Sequence, residues 1–185
     1  LLIITLPVVF LVSVMIKLED GGPILYSQLR SGFNGISFKI YKLRSMHTRA
    51  ELEGAQWAKA KDKRITKTGF LIRKTRIDEL PQLFNVLRGE MSLIGPRPER
   101  PEIDKALSTK IPFYNIRYLA KPGLSGWAQV NYPYGASIKD SMKKLSYDIF
   151  YIKNYSIWLD ILIFFKTIKV ILNARGATPK NGQHQ

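Results

Sequence analysis

The N-terminal segment is the feature that most restricts how this chain folds. Residues 1–16 contain no ionisable side chain, and Lys17 is the first charged residue. This run is shorter than the roughly 18–20 apolar residues that a helix needs to cross a bilayer. It also contains Pro7, and a proline inside a helix removes one hydrogen bond and clashes with the preceding turn. We therefore predict a bent apolar helix over residues 1–18 that enters one membrane leaflet and returns to the same side.

Two other interpretations of this segment stay open at the level of sequence. It could be a buried core helix, or the end of a spanning helix that begins upstream. A signal peptide is a poor explanation because the segment lacks a basic start and a small-residue cleavage site. The first residue is not Met, which suggests a fragment, and the sequence leaves open whether part of the hydrophobic segment or a further domain is missing before Leu1.

Charge and residue usage narrow the function. The 185 residues include 29 Lys and Arg against 14 Asp and Glu, a net charge of +15. Such an excess favours an anionic partner: nucleic acid, a phosphorylated substrate or an acidic membrane face. The chain has no Cys, which excludes disulfides, a thiolate zinc site and a cysteine nucleophile. With only two His, a His-based metal centre and a Ser-His-Asp triad are poor explanations.

Local patterns predict an α+β fold that is mostly helical with a small β-hairpin. Asn34-Gly35 stands between two β-prone runs, residues 24–29 and 36–41, and this is a strong hairpin signal. Two long helices are predicted near the end of the chain, from Ile138 to about Asn154 and from near Ser156 to about Leu172. We assign residues 19–175 to one folded domain and residues 176–185 to a flexible tail.

The last predicted helix is very apolar, but it contains Asp160, Lys166 and Lys169. Each of these charges would cost several kcal/mol in the centre of a bilayer. An amphipathic helix lying in the membrane interface therefore fits better than a spanning one. A core helix of a soluble domain is the alternative.

Two adjacent carboxylates, Asp78 and Glu79, come shortly before Pro81 at the predicted start of a helix. Leu80, Leu83, Phe84 and Leu87 have the spacing of an apolar helix face. The pair could serve only as a helix cap. However, its surroundings are strongly basic, as the next segments show.

Arginines lie on both sides of the carboxylate pair. Arg73 and Arg76 precede it, and Arg97 follows between two prolines, Pro96 and Pro98. Prolines stiffen the backbone, which lowers the entropy lost when a guanidinium meets a phosphate in fixed geometry. Carboxylates among such cations suit phosphoryl chemistry, since one can hold Mg²⁺ or attack phosphorus while the arginines neutralise oxygens.

Taken together, five segments resemble the bacterial sugar transferase family, the monotopic polyprenyl-phosphate phosphoglycosyl transferases. In the family's order, they are residues 22–23, 41–46, 73–82, 91–99 and 121–130. The departures are small. Gly89-Glu90 replaces the usual Gly-Asp, Leu43 replaces Phe, and Leu6-Pro7 stands where a Ser-Pro pair is expected at the helix break.

The resemblance implies a two-step enzyme. Asp78 would attack the β-phosphorus of a UDP-sugar, UMP would leave, and a polyprenyl phosphate such as undecaprenyl phosphate would then take the sugar phosphate from Asp78. Mg²⁺ would be held by Asp78 and Glu79. Further contacts are implied for phosphate or substrate at Lys42, Arg44, Arg73, Arg76, Arg97 and Pro98, and for nucleotide or sugar at Gln129, Tyr147 and Asp148.

The resemblance also implies a place and a role. The enzyme would sit in the bacterial inner membrane with its active site on the cytoplasmic face, contacting lipid, and would begin the membrane steps of capsule, exopolysaccharide, O-antigen or glycoprotein glycan assembly. The sequence leaves open which UDP-sugar is used, which polymer follows and whether the chain forms a homo-oligomer.

Two non-enzymatic hypotheses compete with this one. A nucleic-acid-binding module would explain the net charge, but it needs neither the uncharged N-terminal run nor carboxylates among arginines, since carboxylates repel the nucleic-acid backbone. We therefore expect no nucleic-acid partner. A membrane-anchored structural protein would explain the apolar ends and would leave the Arg97 loop without a role.

Overall fold

The computed structural model describes residues 2–50, 62–133, 135 and 137–173. The predicted tail, residues 176–185, lies outside these ranges.

Helices predominate, and the small sheets confirm the α+β assignment. The α-helices are α1 (Leu2–Asp20), α2 (Lys67–Lys74), α3 (Leu83–Leu87), α4 (Pro101–Ser108), α5 (Trp127–Asn131), α6 (Ile138–Lys153) and α7 (Ile157–Leu172). The strands are β1 (Leu25–Ser31), β2 (Ser37–Leu43), β3 (Ser92–Ile94) and β4 (Gly123–Ser125), and short 3₁₀ helices cover Phe33–Gly35, Ile77–Gln82 and Tyr114–Leu119.

The predicted hairpin is confirmed. Strands β1 and β2 pair antiparallel, and Ser31 lies opposite Ser37 at the turn. Asn34 and Gly35 have φ of 53° and 75°, the left-handed conformation that these two residue types tolerate best. The turn chemistry therefore sets this register, as the sequence predicts.

Strand β1 has an unexpected orientation. Its apolar residues Leu25 and Leu29 are exposed, whereas the alternating residues Tyr26, Gln28 and Arg30 are half-buried. Successive side chains of a strand point to opposite faces, so the polar face of β1 is the one that turns inward. This face lines a cavity, described below.

Helix α1 continues through Pro7 and ends at Asp20, two residues beyond the predicted boundary. Of its apolar residues, Val12 and Ile16 are buried, against Leu43 and Ile72, while most of the others are exposed. No helix in the described ranges combines the length and the apolar character needed to cross a membrane. The re-entrant geometry therefore stays a prediction.

The end of α1 is tied to the rest of the domain by its two acidic residues. Glu19 accepts hydrogen bonds from the main-chain N–H groups of Lys67 and Thr68, at 2.8 and 3.1 Å. These are unpaired donors of the first turn of α2, so Glu19 caps that helix. Asp20 forms an ion pair with Arg44, which follows β2. The apolar helix is thereby held in a fixed position on the domain.

Both C-terminal helices begin and end close to the predicted residues. Ser137 and Asp140 form a reciprocal capping box at the start of α6, and Ser156 caps α7. Helix α7 buries Ile163 in a cluster with Ile94 and Tyr151. It leaves most of its other apolar side chains exposed: Ile157, Trp158, Ile161, Leu162, Phe164, Phe165, Ile168, Ile171 and Leu172.

Two charges of α7 have a different role from the one expected at an interface. Asp160 accepts a hydrogen bond from the hydroxyl of Tyr151 at 2.8 Å. Lys166 donates to Asn131 at 2.7 Å and lies over the ring of Trp127, 4.4 Å from its centroid. These two polar groups attach α7 to α6 and α5, so its apolar surface points away from the domain.

Strands β3 and β4 pair in parallel and bring two loops together, residues 95–100 and 121–122. Gly95 lies so close to the second loop that a Cβ atom there would be 2.3 Å from the carbonyl oxygen of Lys121. Any side chain at this position would collide with main chain. The glycine therefore allows the loop that carries Arg97 to pack against the segment before β4.

Candidate active site

A cavity of about 420 Å³ brings most of the predicted site residues together. Its lining includes Lys42, Arg44, Arg73, Arg76, Asp78, Glu79, Arg97, Gln129 and Asp148. Pro98 and Tyr147 are not among the described residues that line it. The lining is rich in cations, because it also contains Arg30, Arg64, Arg100, Arg117 and Lys144. A cavity with this charge suits an anionic ligand.

The carboxylate pair lies in the first turn of the 3₁₀ helix Ile77–Gln82, immediately before α3. The predicted helix start is therefore correct in place, but the first turns are 3₁₀ and not α. Arg76 precedes the helix with φ of 60°, and no side chain in the described ranges caps it. The interpretation that the pair serves only as a helix cap is therefore wrong, since neither carboxylate makes a capping bond.

This segment buries its polar side chains. Asp78, Glu79 and Gln82 are buried, and of the predicted apolar face Leu83 is buried, Leu80 is half-buried, and Phe84 and Leu87 are exposed. Burying carboxylates is costly unless partners compensate their charge. A conformation that turns them inward and leaves apolar residues outside indicates that the polar face serves a ligand or a reaction.

Glu79 is surrounded by three cations. Its Oε1 lies 2.9 Å from Lys42 Nζ, 2.5 Å from Arg97 Nη2 and 3.6 Å from Arg76 Nη1. Arg97 Nη1 also donates to Oε2 at 3.4 Å, which makes the Arg97 contact two-pronged. Burial opposes ionisation of Glu79, but the charges of Arg97, Lys42 and Arg76 hold its pKa well below the usual range.

Asp78 has a different environment. Its Oδ1 is buried and has no hydrogen-bond partner among the described residues. Burial, together with the negative charge of Glu79, raises the pKa of Asp78 to about 6, although Lys42, Arg73 and Arg76 act in the opposite direction. The two carboxylates therefore differ: Glu79 contacts three cations, and Asp78 has an oxygen that can bind another partner.

The family resemblance implies Mg²⁺ at the carboxylate pair. This ion prefers carboxylate oxygens and typically takes one or two of them, completing its shell with water and substrate phosphates. Asp78 and Glu79 are the adjacent carboxylates of the cavity that would hold such an ion. The described part of the chain contains no cluster of three or more potential ligands.

Arg44 lines the cavity and is also the residue that anchors α1. It is buried, it pairs with Asp20, and its Nε and Nη1 atoms have no hydrogen-bond partner among the described residues. The guanidinium fits here because residue 22 is glycine: a Cβ atom at Gly22 would be 1.9 Å from Arg44 Nη1. The sequence predicted a phosphate-facing cation, and the structure adds a link to the apolar helix.

The three predicted nucleotide or sugar contacts have separate environments. Gln129 lines the cavity, and its Nε2 lies 3.4 Å from the carbonyl oxygen of Leu124. Tyr147 packs against the ring of Tyr132. Asp148 also lines the cavity.

Asp148 is fully engaged by an arginine that the sequence analysis missed. Its Oδ2 lies 3.2 Å from Arg117 Nη2. Burial raises the pKa of Asp148 to about 6, against the opposing charge of Arg117. Asp148 therefore acts first as the counter-ion of Arg117.

Several cavity residues escaped the sequence analysis. Tyr26, Gln28 and Arg30 form a hydrogen-bonded row along β1, from Gln28 to the hydroxyl of Tyr26 at 2.7 Å and from Arg30 to Gln28 at 2.7 Å. These residues alternate along the chain in and beside a predicted strand. This alternation could have identified them from the sequence as one face of the strand. Arg100, Arg117 and Lys144 had no comparable local signal.

Comparison with known proteins identifies the family. A family model described as bacterial sugar transferase matches residues 1–174. The chain is 51% identical over 171 residues to a UDP-N-acetylgalactosamine-undecaprenyl-phosphate N-acetylgalactosaminephosphotransferase from Aeromonas hydrophila, an alignment that covers 92% of this chain and 40% of that protein. It is 44% identical over 183 residues to an undecaprenyl-phosphate glucose phosphotransferase from Komagataeibacter xylinus, covering 96% of this chain and 34% of the relative.

A third relative is a UDP-glucose:undecaprenyl-phosphate glucose-1-phosphate transferase from Caulobacter vibrioides. It is 42% identical over 173 residues, which cover 92% of this chain and 65% of the relative. The chain thus spans less than two thirds of the length of each of these three proteins.

Proposed function

Because the chain belongs to the bacterial sugar transferase family, we propose that it transfers a sugar 1-phosphate from a UDP-sugar to a polyprenyl phosphate, undecaprenyl phosphate in bacteria, and releases UMP. The relatives are named for transfers of this kind. The observation that carries the proposal is the difference between the two buried carboxylates: Glu79 contacts three cations, and one oxygen of Asp78 has no partner among the described residues.

The first step uses that oxygen as a nucleophile. A bond forms between Asp78 Oδ1 and the β-phosphorus of the UDP-sugar, the bond from this phosphorus to the bridging oxygen breaks, and UMP leaves with that oxygen and its electron pair. The sugar phosphate stays on Asp78 as an acyl phosphate. In the second step an oxygen of the polyprenyl phosphate attacks the same phosphorus, and the carboxylate of Asp78 is released.

The cations of the cavity lower the barrier by neutralising the phosphate oxygens. An aspartate is a weak nucleophile, so most of the catalysis must come from placement and from preorganised charge. Lys42 and Arg97 are held on Glu79 and need no rearrangement to face a ligand beside Asp78. When bound by Asp78 and Glu79, Mg²⁺ would supply further neutralisation of the diphosphate charge.

The acceptor lipid explains the apolar surfaces. Helix α1 exposes Ile3, Ile4 and Phe10, and α7 exposes Trp158 and Phe165. Contiguous exposed apolar side chains mark protein or membrane contacts. In the proposal residues 1–18 enter the cytoplasmic leaflet of the inner membrane and return, α7 lies on its surface, and the cavity opens on the cytoplasmic face.

A screen of UDP-sugars tests the proposed reaction. The purified chain in detergent or nanodiscs is given each UDP-sugar with Mg²⁺ and undecaprenyl phosphate, and UMP is measured. We expect UMP release with at least one donor, at a rate that depends on the acceptor, and formation of a polyprenyl diphosphate sugar. Release of UDP, or no release with any donor, would contradict the proposal.

A further inference from the structure

The loop that carries Arg97 is held at four consecutive carbonyl oxygens, from Pro96 to Glu99. The first and last of these oxygens, those of Pro96 and Glu99, accept hydrogen bonds from main-chain N–H groups. The N–H of Gly123 donates to the oxygen of Pro96 at 2.9 Å, and the N–H of Ser31 donates to the oxygen of Glu99 at 3.0 Å. These bonds come from β4 and from β1, so the loop is clamped between two different parts of the fold.

The inner two carbonyls accept from arginine side chains. Arg117 Nη2 donates to the oxygen of Arg97 at 2.6 Å, and Arg30 Nη1 donates to the oxygen of Pro98 at 3.1 Å. Each bond fixes the orientation of one peptide plane, and these are the two planes that immediately follow Arg97. The two arginines approach from the 3₁₀ helix Tyr114–Leu119 and from β1.

The loop relies on hydrogen-bond donors from other parts of the chain because it contains two prolines. Pro96 and Pro98 have no N–H group, so this segment cannot form a regular ladder of its own. Carbonyl groups buried without a donor are unfavourable, and side chains are the remaining source of donors. The proline rings fix φ at Pro96 and Pro98 and leave ψ to these contacts.

Arg117 itself is held firmly. Its Nη1 donates to the hydroxyl of Tyr114 at 2.5 Å, and that hydroxyl donates to Asp104 at 2.8 Å. Asp148 lies 3.2 Å from Nη2, and Asp104 lies 3.7 Å from Nη1. Two buried carboxylates thus compensate this buried guanidinium, and it is oriented before it reaches the loop.

We propose that Arg117 and Arg30 are positioning residues for Arg97. By holding the carbonyl oxygens of Arg97 and Pro98, they set the direction in which the Arg97 side chain leaves the loop, and so bring its guanidinium to Glu79. Asp148 acts one step further away, as the counter-ion that orients Arg117. The kinetic part of the inference rests on the proposed function, because its readout is UMP release.

A double-mutant cycle on kcat/KM for UMP release tests the proposal. Arg117→Lys keeps the charge, but a lysine cannot contact Tyr114, Asp148 and the carbonyl oxygen of Arg97 at the same time. We therefore expect kcat/KM to fall by about ten- to hundredfold. In an Arg97→Ala background the same change should have an effect of no more than about twofold, because the group it positions is gone. An equal loss in both backgrounds would show a general structural role and overturn the proposal.

Arg30→Lys repeats the cycle from the other side of the loop and serves if Arg117→Lys fails to fold. Arg88→Lys is the matched control, since Arg88 is exposed and lies over the ring of Phe84. Its kcat/KM should stay within about twofold of the parent protein.

Hydrogen exchange separates a failure of the positioning idea from a failure of the proposed reaction. The amides of Ser31 and Gly123 are protected by the same loop, so Arg117→Lys should speed their exchange at least tenfold, whereas Arg88→Lys should not. Unchanged exchange would contradict the positioning role. If no UDP-sugar yields UMP even with the parent chain, the reaction is wrong, and the exchange result still decides the positioning.

Discussion

Arg97 reaches across eighteen residues of sequence to donate to Glu79, with 2.5 Å between Nη2 and Oε1. The contact joins the loop after β3 to the first turn of the helix that carries the carboxylate pair. It lies between two groups that would otherwise be unfavourable in a buried cavity, an unpaired carboxylate and an unpaired guanidinium. The candidate site is therefore ordered before any substrate arrives.

The first prediction concerns the nucleophile. Asp78→Asn keeps the shape of the side chain but removes the anionic oxygen, so UMP release should fall below detection. Incubation of the parent protein with a UDP-sugar and Mg²⁺, without acceptor, should give a sugar-phosphate adduct that mass spectrometry maps to Asp78. Glu102→Gln, a similar carboxyl-to-amide change on an exposed residue of α4, should leave the adduct intact. An adduct on another residue, or an active Asp78→Asn, would favour direct transfer in a ternary complex.

The two carboxylates should differ in their effect on stability. Glu79→Gln leaves Lys42 and Arg97 facing a neutral group, and breaking a buried ion pair in this way costs about 3–5 kcal/mol of unfolding free energy. Asp78→Asn removes a charge that is buried beside another carboxylate and lacks a full set of partners, so it should keep or raise the midpoint of thermal unfolding. Differential scanning fluorimetry on both variants, without Mg²⁺, checks the contrast. A larger loss for Asp78→Asn than for Glu79→Gln would contradict it.

Arg97→Lys should lower kcat/KM by about ten- to hundredfold. The ammonium keeps the charge but loses the planar fork that contacts both oxygens of Glu79. The measurement is UMP release at several donor concentrations. Arg88→Lys again provides the control, because this guanidinium is exposed. A variant as active as the parent would mean that Arg97 supplies only charge.

Neighbouring residues of α7 differ in exposure, so their substitutions should affect different properties: lipid binding for the exposed ones and stability for the buried one. Phe164 and Phe165 are 46% and 63% exposed, so replacing both with Ser should weaken binding to anionic lipid vesicles with little loss of unfolding free energy. Ile163 is fully buried, and Ile163→Ser should lower the unfolding free energy by about 2–5 kcal/mol. Vesicle flotation and thermal unfolding measure the two effects. If the Phe pair proved as destabilising as Ile163→Ser, the exposed face of α7 would be core structure.

The topology of α1 can be tested by cysteine labelling, because the chain has no cysteine of its own. Two variants are needed, one with a cysteine just before residue 1 in a longer chain and one with a cysteine at position 21. Both cysteines should react with a membrane-impermeant reagent only from the cytoplasmic side. The basic excess after α1 favours that side for the downstream flank. Labelling from opposite sides would indicate an ordinary spanning helix.

Some features of this protein were predictable from short stretches of sequence. The hairpin follows from Asn34-Gly35, whose left-handed conformations are a local property. The bounds of α6 and α7 follow from their serine caps and their periodicity. The pairing of Asp78 with Glu79 and the family resemblance were likewise visible in contiguous segments.

The orientation of these elements could not be predicted in the same way. Strand β1 turns its polar face inward, and the 3₁₀ helix Ile77–Gln82 buries Asp78, Glu79 and Gln82, against the ordinary rule of amphipathicity. The rule assumes an apolar core, and here the interior that these faces meet is a charged cavity. A sequence pattern reports which residues share a face, and it does not report what that face will meet.

The sequence by itself determined the apolar first helix, the basic excess, the hairpin and the residues of the carboxylate pair, because each depends on composition or on neighbours within a few positions. Only the tertiary structure decided that Glu79 would gather Lys42 and Arg97, and that Arg117 and Arg30 would hold the loop between the prolines. Those partners are 18 to 68 residues apart in sequence. Contacts over such distances form because burial requires every charge and carbonyl to find a partner, and the packing of the whole chain selects which one.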